Sequence, residues 1–175
     1  MKEIISGLLY WLINHVVTHI PCWPLRKKCY ELAGLTMGGS RVLIGTQFEG
    51  IPHIIIGKHS YINRNCHLDG RGGLYIGNNV NISSYTAIIT GSHDMTSDSF
   101  AYRPGEVRIE DYCWLGTRSM VLDKSHLAKG VVLSAGSVLK GETLLDSVYA
   151  GIPAVRVKAR NLSGQYDVGW RPWFS

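Results

Sequence analysis

The chain has 175 residues, of which 45% are hydrophobic and 18% are charged, and it contains 20 glycines. This length favours one domain rather than two, and the glycine content argues against a helical bundle and for a turn-rich architecture. The net charge of +5 bears on partners rather than on fold, so phosphorylated cofactors, nucleic acid and anionic membrane surfaces all stay open at this point.

The four cysteines contain no CxxC pair, which argues against a structural zinc site. Cys66 and Cys113 occupy positions that are otherwise filled by Ser, Thr or Val. They are therefore expected to be small core residues of a protein from a reducing compartment. A cleavable signal is not predicted, because Glu3 stands where a basic region would be needed and Asn14 interrupts the apolar run.

Residues 4–20 carry apolar side chains at the spacing i, i+1, i+4, i+5, which predicts an amphipathic helix. Asn14 and Thr18 are expected to lie off its apolar face. The proline-containing segment 21–24 ends this helix, and a second short helix is predicted from about Leu25 to Ala33.

Two interpretations of this helical segment stay open. Its apolar face either covers the open end of the scaffold or packs on a neighbouring subunit. Alternatively, residues 4–28 make peripheral contact with a membrane, with Arg26, Lys27 and Lys28 against anionic head groups. The first interpretation predicts a cytoplasmic protein, and the second places it at the inner face of the membrane.

From residue 56 onward, aliphatic residues recur at a step of six, with two interruptions. They are Ile56, Ile62, Leu68, Ile76, Ile82, Ile88, Ile109, Leu115, Val121, Leu127, Leu133 and Leu139. A six-residue period is typical of a β-solenoid, in which each hexapeptide forms one short strand and one corner, and three of them close a triangular coil. Residues 35–55 are predicted to be a degenerate first coil led by Met37 and Leu43.

The two interruptions differ in size. Residues 70–73 insert a small corner bulge, whereas residues 94–106 form a large insertion directly after His93. Catalytic groups lie disproportionately on loops held by a rigid scaffold, and neutral histidine accepts protons near neutral pH. His93 is therefore a candidate catalytic base. A metal site is not predicted, because no second histidine follows His93 at a short spacing.

A second functional face is predicted between residues 115 and 140. Gly116 and Ala135 lack bulk at a corner, so that a ligand could approach their backbone N–H groups. Four cations follow near the C-terminal end: Lys140, Arg156, Lys158 and Arg160. They form either a solvated basic edge or a clamp for the phosphates of a nucleotide-like cofactor. Nucleic acid is not predicted as a partner, because the repeat has no interleaved aromatic platform.

The segment IEDYCWLGTRSMVLDKSHLAKGVVLSAGSVLK, followed by GIPA, resembles the hexapeptide-repeat acyltransferases. The galactoside, maltose and capsular or colanic-acid O-acetyltransferases are the most similar branch, and the resemblance covers residues from about 56 to 158. It implies an all-β solenoid, specifically a left-handed parallel β-helix, that assembles as a homotrimer. It further implies acetyl-CoA as co-substrate in a cleft between adjacent subunits, with no metal.

The same resemblance implies roles for individual residues. The sequence TGSHD at residues 90–94 matches the family segment with the catalytic histidine, which is His93 here, and YINRNCHLD places acceptor binding on Asn63 and, less directly, on Asp69. The positions implied to line the cofactor groove are Trp114, Gly116, Thr117 and Ala135. Because the basic positions of the family pattern have shifted, Lys140, Arg156 and Lys158 are all candidates to bind the coenzyme phosphates.

The predicted organisation is a helical segment (1–34), a β-helix domain (35–160) and a C-terminal tail (161–175), with the 94–106 insertion as an arm over the neighbouring subunit. The implied function is transfer of acetyl from acetyl-CoA to a sugar hydroxyl in capsule, O-antigen or exopolysaccharide biosynthesis. His93 is the general base, and a backbone N–H near Gly116 or Thr117 stabilises the oxyanion. The alternatives are an acetyltransferase for serine, an amino sugar or an antibiotic, and a non-catalytic solenoid adaptor.

Overall fold

A computed structural model describes residues 2–162 and 166–168. Its N-terminal segment contains helix α1 (Lys2–His15), a 3₁₀ helix (Val17–His19) and helix α2 (Trp23–Leu32). The first α-helix is therefore shorter than the predicted span 4–20, because the chain tightens into the 3₁₀ turn. Helix α2 begins before the predicted Leu25, because its first turn accommodates Pro24, where no intrahelical N–H is needed.

The N-terminal segment docks on the first coil through both apolar and polar side chains. The prediction of a purely apolar docking face was wrong. Asn14 and Thr18, expected off the buried face, are both buried. The Asn14 amide donates to the carbonyl of Phe48 at 2.9 Å and accepts from its N–H at 2.8 Å, and the Thr18 hydroxyl donates to the carbonyl of Thr46 at 2.6 Å. Polar side chains are needed here because a terminal coil presents backbone groups that no further coil can pair.

The apolar stripe of α1 is largely left open in consequence. Ile13 and Val17 are buried and Ile20 is partly buried, whereas five other large apolar side chains of this stripe are exposed. The exposed ones are Ile4, Leu8, Leu9, Leu12 and Val16, with Tyr10 and Trp11 beside them. The exposed part of the stripe does not cover the open end of the scaffold, and contact with a neighbouring subunit or with a membrane surface stays a prediction for it. Within residues 2–162 and 166–168, no helix has the length and apolar content to cross a bilayer.

The remainder of the described chain consists of short strands. In chain order they are β1 (Thr36–Met37), β2 (Arg41–Val42), β3 (Gln47–Glu49), β4 (Ile54–Ile56), β5 (Tyr61–Ile62), β6 (His67–Asp69), β7 (Leu74–Ile76), β8 (Asn81–Ile82), β9 (Ala87–Ile88), β10 (Gly91–His93), β11 (Tyr102–Pro104), β12 (Val107–Ile109), β13 (Trp114–Leu115), β14 (Met120–Val121), β15 (His126–Leu127), β16 (Val132–Leu133), β17 (Val138–Leu139), β18 (Ser147–Gly151) and β19 (Ala154–Ala159). A further 3₁₀ turn, Ile51–His53, precedes β4.

Three parallel sheets form the faces of a triangular solenoid, which confirms the predicted fold class. Sheet I has the order β1-β4-β7-β12-β15, sheet II has the order β19-β18-β16-β13-β8-β5-β2, and sheet III has the order β17-β14-β9-β6-β3. Each of five successive coils contributes one strand to each sheet, so neighbouring strands of one sheet are separated by a whole coil in the sequence, and β18 and β19 extend sheet II beyond them. The interior is filled by the aliphatic residues of the six-residue repeat, nearly all of them fully buried.

The register corrects one residue of the first coil. Val42 pairs with Ile62 and is fully buried, so Val42 rather than Leu43 leads the second strand of this coil. The first corner is one residue shorter than the regular repeat predicts. At the opposite end, β18 and β19 form an antiparallel hairpin, and Tyr149 of β18 stacks in register on Leu133.

The large insertion and the three residues before it form a second antiparallel hairpin, in which β10 precedes the insertion and β11 lies inside it. It leaves the solenoid after β9 at the corner between sheets III and I, and the chain returns to the scaffold at β12. We call residues 91–104 the arm. The C-terminal tail contains Trp170, Trp173 and Phe174, which lie outside the described residues.

Candidate active site

His93 is the last residue of β10 and is exposed on the arm. Its imidazole stacks on the ring of Phe100, with centroids 4.2 Å apart and an interplanar angle of 9°. The ring of Tyr102, its register partner on β11, approaches edge-on at 5.5 Å. Two aromatic side chains of the insertion therefore hold the imidazole plane.

The hydrogen bond of His93 fixes its tautomer. Nδ1 lies 2.8 Å from the backbone carbonyl oxygen of Phe100. A carbonyl oxygen can only accept, so Nδ1 must carry the proton. In the neutral ring, Nε2 is then left with its lone pair, which is the state that a general base requires.

Asn63 follows β5 and is half-buried. Its side-chain nitrogen donates to the Oδ1 of Asn81 at 3.2 Å and to the carbonyl of Ile82 at 2.9 Å. Both amide hydrogens are thereby used in fixing the side chain on the scaffold. The Asn63 Oδ1 remains as the group that can accept a hydrogen bond from a hydroxyl.

Asn63 and His93 occupy different corners of the solenoid. Asn63 comes directly after a sheet II strand, at the corner between sheets II and III, whereas His93 extends from the corner between sheets III and I. The face formed by sheet III separates the two positions within one chain. One chain therefore does not bring the two predicted site residues together.

Asp69 was predicted to bind an acceptor hydroxyl, and its geometry contradicts this. The carboxylate is fully buried and accepts five hydrogen bonds from its own chain. Three come from the backbone N–H, Nε and Nη2 of Arg71, and two come from the backbone N–H groups of Thr90 and Gly91. Burial alone would raise the pKa of Asp69, but these hydrogen bonds outweigh it and lower the pKa to about 2.

Gly116 also has a different role from the predicted one. Its N–H donates to the carbonyl of Leu133 at 2.7 Å and is not available to a ligand. A Cβ at this position would lie 2.5 Å from the backbone nitrogen of Ala135, so glycine is required for two coils to pack closely. Thr117 and Ala135 are exposed at the same corner as Asn63 and stay the candidates for ligand contact there.

The predicted coenzyme residues are divided between two regions. Trp114 and Lys158 line a concave surface together with residues of β16, β18 and β19, and the concavity has a volume of ≈ 560 Å³. Nε1 of Trp114 donates to the Ser83 hydroxyl at 3.1 Å, which fixes the indole. Lys140 lies elsewhere, after β17, and forms an ion pair with Asp123 at 3.0 Å. The structure therefore joins Trp114 to Lys158 and separates both from Lys140.

Arg156 and Arg160 also bond to their own chain. Nε of Arg156 donates to the Ser147 hydroxyl at 2.9 Å, and Nη1 of Arg160 donates to the carbonyls of Tyr112 and Gly130. Arg160 nevertheless lines the concave surface and adds its charge there. Across the described part of the chain, no group of three or more His, Cys, Asp or Glu side chains is arranged to hold a metal ion.

Comparison with known proteins finds acetyltransferases that are similar to this chain in sequence. No family model matches the chain. Over 107 residues, the chain is 28% identical to a protein of Escherichia coli K12 named as a colanic acid biosynthesis acetyltransferase, WcaF, and equally to its counterpart in Shigella flexneri. The matched region covers 61% of this chain and 59% of that relative, which is less than two thirds of the relative's length.

Solved structures extend the similarity over nearly the whole chain. The hexapeptide-repeat acetyltransferase VCA0836 of Vibrio cholerae O1 biovar eltor, complexed with acetyl coenzyme A, has a TM-score of 0.77 and 25% identity over 88% of this chain and 84% of that one. A maltose O-acetyltransferase of Clostridium difficile 630 shares the fold, with a TM-score of 0.78 and 20% identity over 92% and 87%. The resemblance to the hexapeptide-repeat acetyltransferases is thereby confirmed.

Proposed function

We propose that this chain, which is similar in sequence and fold to hexapeptide-repeat acetyltransferases, transfers an acetyl group from acetyl-CoA to a sugar hydroxyl. The observation that carries this proposal is the hydrogen bond from Nδ1 of His93 to the Phe100 carbonyl. It leaves a lone pair on Nε2 of an exposed imidazole, at the point where the scaffold is interrupted. The relatives support the acetyl donor, since one of them is described in complex with acetyl coenzyme A.

His93 moves the proton in this reaction. Nε2 accepts the hydroxyl proton while the hydroxyl oxygen forms a bond to the acetyl carbon. The carbon–sulfur bond of the thioester breaks, and the proton on Nε2 passes to the departing thiolate. The bond between Nδ1 and the Phe100 carbonyl strengthens as the ring becomes positive, which favours the transition state. General-base assistance of this kind contributes about 10²–10⁴-fold to the rate.

The concave surface beside Trp114 fits the acetyl donor. A large exposed indole offers a flat apolar wall, and Lys158 and Arg160 place two cations at its rim. Cations suit the phosphates of the coenzyme. Lys140 and Arg156 already have acidic or hydroxyl partners, so Lys158 is the predicted cation with the most direct access to this surface. Thr117 remains the candidate donor to the oxyanion, because the N–H of Gly116 is engaged.

The acceptor site lies between subunits of a homotrimer in this proposal. It needs Asn63 of one chain and His93 of another, because the two residues extend from different corners of a single solenoid. The Asn63 Oδ1 accepts a hydrogen bond from an acceptor hydroxyl and thereby orients the sugar. A precursor of a surface polysaccharide is the proposed acceptor, supported by the name of the relative from E. coli.

The test is a release assay for free thiol. Purified protein with acetyl-CoA is given polysaccharide precursors, simple sugars, amino sugars, serine and aminoglycosides. Transfer to a sugar hydroxyl, reduced about 10²–10⁴-fold in His93→Ala, is the expected result. His53→Ala is the matched control, because His53 is an exposed histidine of a 3₁₀ turn outside the site. Transfer to serine or an antibiotic alone would replace the acceptor class, and failure to bind CoA in calorimetry would leave a solenoid adaptor.

A further inference from the structure

The corner bulge at residues 70–73 contacts the arm directly. The backbone N–H of Gly72 donates to the Thr90 hydroxyl at 2.8 Å. A Cβ at Gly72 would lie 2.6 Å from the carbonyl oxygen of Thr90 and 2.7 Å from the nitrogen of Gly105. The bulge and the base of the arm are therefore packed backbone against backbone. The bulge is visible in the sequence as an interruption of the repeat, but its contact with the base of the arm is seen only in the structure.

Arg71 is the side chain that joins the bulge to the arm. Its Nε and Nη2 each lie 3.0 Å from one oxygen of the buried Asp69, which is a bidentate pair, and Nε lies 2.8 Å from Oε2 of Glu49. Asp69 in turn accepts the N–H groups of Thr90 and Gly91 at 2.9 and 3.0 Å, where β10 begins. One carboxylate therefore fixes both the guanidinium and the start of the strand that bears His93.

The guanidinium continues the contact to the aromatic residues of the arm. The Cζ of Arg71 lies 5.9 Å from the centroid of the Tyr102 ring, within the range of a cation–π interaction. Gly91 leaves the space for this pair, because a Cβ there would lie 2.7 Å from the Tyr102 hydroxyl and 3.1 Å from Nη2 of Arg71. The rings of Tyr102 and His93 form a T-shaped pair with centroids 5.5 Å apart. The contacts run without a break from Asp69 through Arg71 and Tyr102 to His93.

We infer that Arg71 is a positioning residue for His93, acting through Tyr102 and the base of β10. This inference rests on the proposed function, in which Nε2 of His93 is the base. Arg71 sets the plane of Tyr102, and Tyr102 together with Phe100 sets the plane of the imidazole. Without this plane the ring loses its alignment with the Phe100 carbonyl, and the tautomer with the proton on Nδ1 is no longer favoured. Misalignment of the imidazole reduces turnover without altering the binding of the acetyl donor.

The experiment compares Arg71→Met, Arg71→Lys and the control Arg108→Met. Arg108 is exposed to the same degree as Arg71 (44% against 45%), pairs with Glu106 and lies over the ring of Tyr75 at 4.8 Å, but it belongs to sheet I. We expect Arg71→Met to lower kcat about 10–100-fold with the KM for acetyl-CoA within about twofold. The kcat of Arg71→Lys should lie between those of Arg71→Met and the unaltered protein, since lysine keeps the charge but not the planar fork. The kcat of Arg108→Met should equal that of the unaltered protein.

A second measurement does not depend on activity. The ring nitrogens of His93, assigned by difference with His93→Gln in ¹⁵N-histidine-labelled protein, should report a proton on Nδ1 in the unaltered protein. Arg71→Met should show a substantial fraction with the proton on Nε2. If Arg71→Met fails to fold, Tyr102→Leu replaces it, because Tyr102 is 44% exposed and the scaffold does not depend on it.

The outcomes separate the two proposals. An inactive His93→Ala combined with an Arg71→Met protein of full kcat and unchanged ring nitrogens would overturn the positioning role alone. A His93→Ala protein of full activity would overturn the proposed function, whatever Arg71→Met does. A loss of kcat in Arg71→Met accompanied by the tautomer change supports both.

Discussion

Asn63 lies at the corner between sheets II and III, and His93 extends from the corner between sheets III and I. The side chain of Asn63 is fixed by hydrogen bonds to Asn81 and Ile82, and that of His93 by the carbonyl of Phe100. Neither residue can therefore reach the other by a change of rotamer. A single reaction that uses both needs two copies of the chain.

This arrangement predicts complementation between two defective proteins. His93→Ala and Asn63→Ala, unfolded together at equal amounts and refolded, should recover activity that neither shows alone. In a cyclic assembly with random mixing, about one quarter of the interfaces join an intact His93 to an intact Asn63. The recovered rate should approach about one quarter of that of the unaltered protein, measured at low acceptor concentration where the Asn63 variant is most defective.

Each variant refolded alone is the control for this experiment. If one chain supplied both residues, every site in the mixture would carry one defect, and the rate would stay at the mean of the two variants. That outcome would reject a site between subunits. It would leave the general-base role of His93 untouched.

The docking of α1 gives a prediction about stability. Asn14→Ala removes two hydrogen bonds to the backbone of Phe48 and leaves a buried N–H and carbonyl without partners. We expect a loss of about 2–6 kcal/mol in the free energy of unfolding, since each of the two unpaired buried groups costs about 1–3 kcal/mol. Urea denaturation followed by circular dichroism measures it.

Leu8→Ala is the matched comparison on the same helix. Leu8 is 64% exposed, and its replacement should change the free energy of unfolding by less than about 0.5 kcal/mol. A larger loss in Leu8→Ala than in Asn14→Ala would mean that the apolar stripe, and not the polar pair, holds the helix on the solenoid.

The regular part of this fold could be predicted because one period governs it. A step of six places Ile109 and Leu127, Leu115 and Leu133, and Val121 and Leu139 in the same inward positions of successive coils, and the structure pairs them in register. The first coil was misread at Val42 because a corner one residue shorter moves the frame. The helix was misread because hydrophobic periodicity cannot show that Asn14 pairs with the backbone of a terminal strand.

The candidate site was predictable to a lesser extent. A broken repeat identified His93, but the supporting side chains follow from contacts that no spacing encodes. Phe100 and Tyr102 reach the imidazole only because the arm folds as a hairpin, which sets Tyr102 opposite His93. A carboxylate near an active-site segment can either bind a ligand or stabilise the local structure, and the sequence interpretation assigned Asp69 to ligand binding. Only its burial and its five hydrogen bonds decide for the structural role.

Asp69 predicts a dependence of stability on acid pH. Its pKa in the folded protein is about 2, below the ordinary value of 3.8. Stability from a depressed carboxyl pKa is fully present above the unfolded value and is lost as the pH falls through the folded value. The difference in free energy of unfolding between the unaltered protein and Asp69→Asn should therefore shrink by about 2 kcal/mol between pH 5 and pH 2. Urea titrations at several pH values measure it, and a gap that stays constant would show that Asp69 is not ionised in this network.

The four cysteines should differ sharply in reactivity. Burial raises the pKa of both the Cys66 and the Cys113 thiol to about 12, whereas Cys22 and Cys29 are partly exposed. Since the thiolate is the reactive form, iodoacetamide at pH 8 should label Cys22 and Cys29 of the folded protein and leave the other two unmodified. Peptide mass spectrometry measures the labelling, and the same reaction in guanidinium, where all four should react, is the control. Rapid labelling of Cys66 or Cys113 under native conditions would show that the solenoid opens far more readily than its packed interior implies.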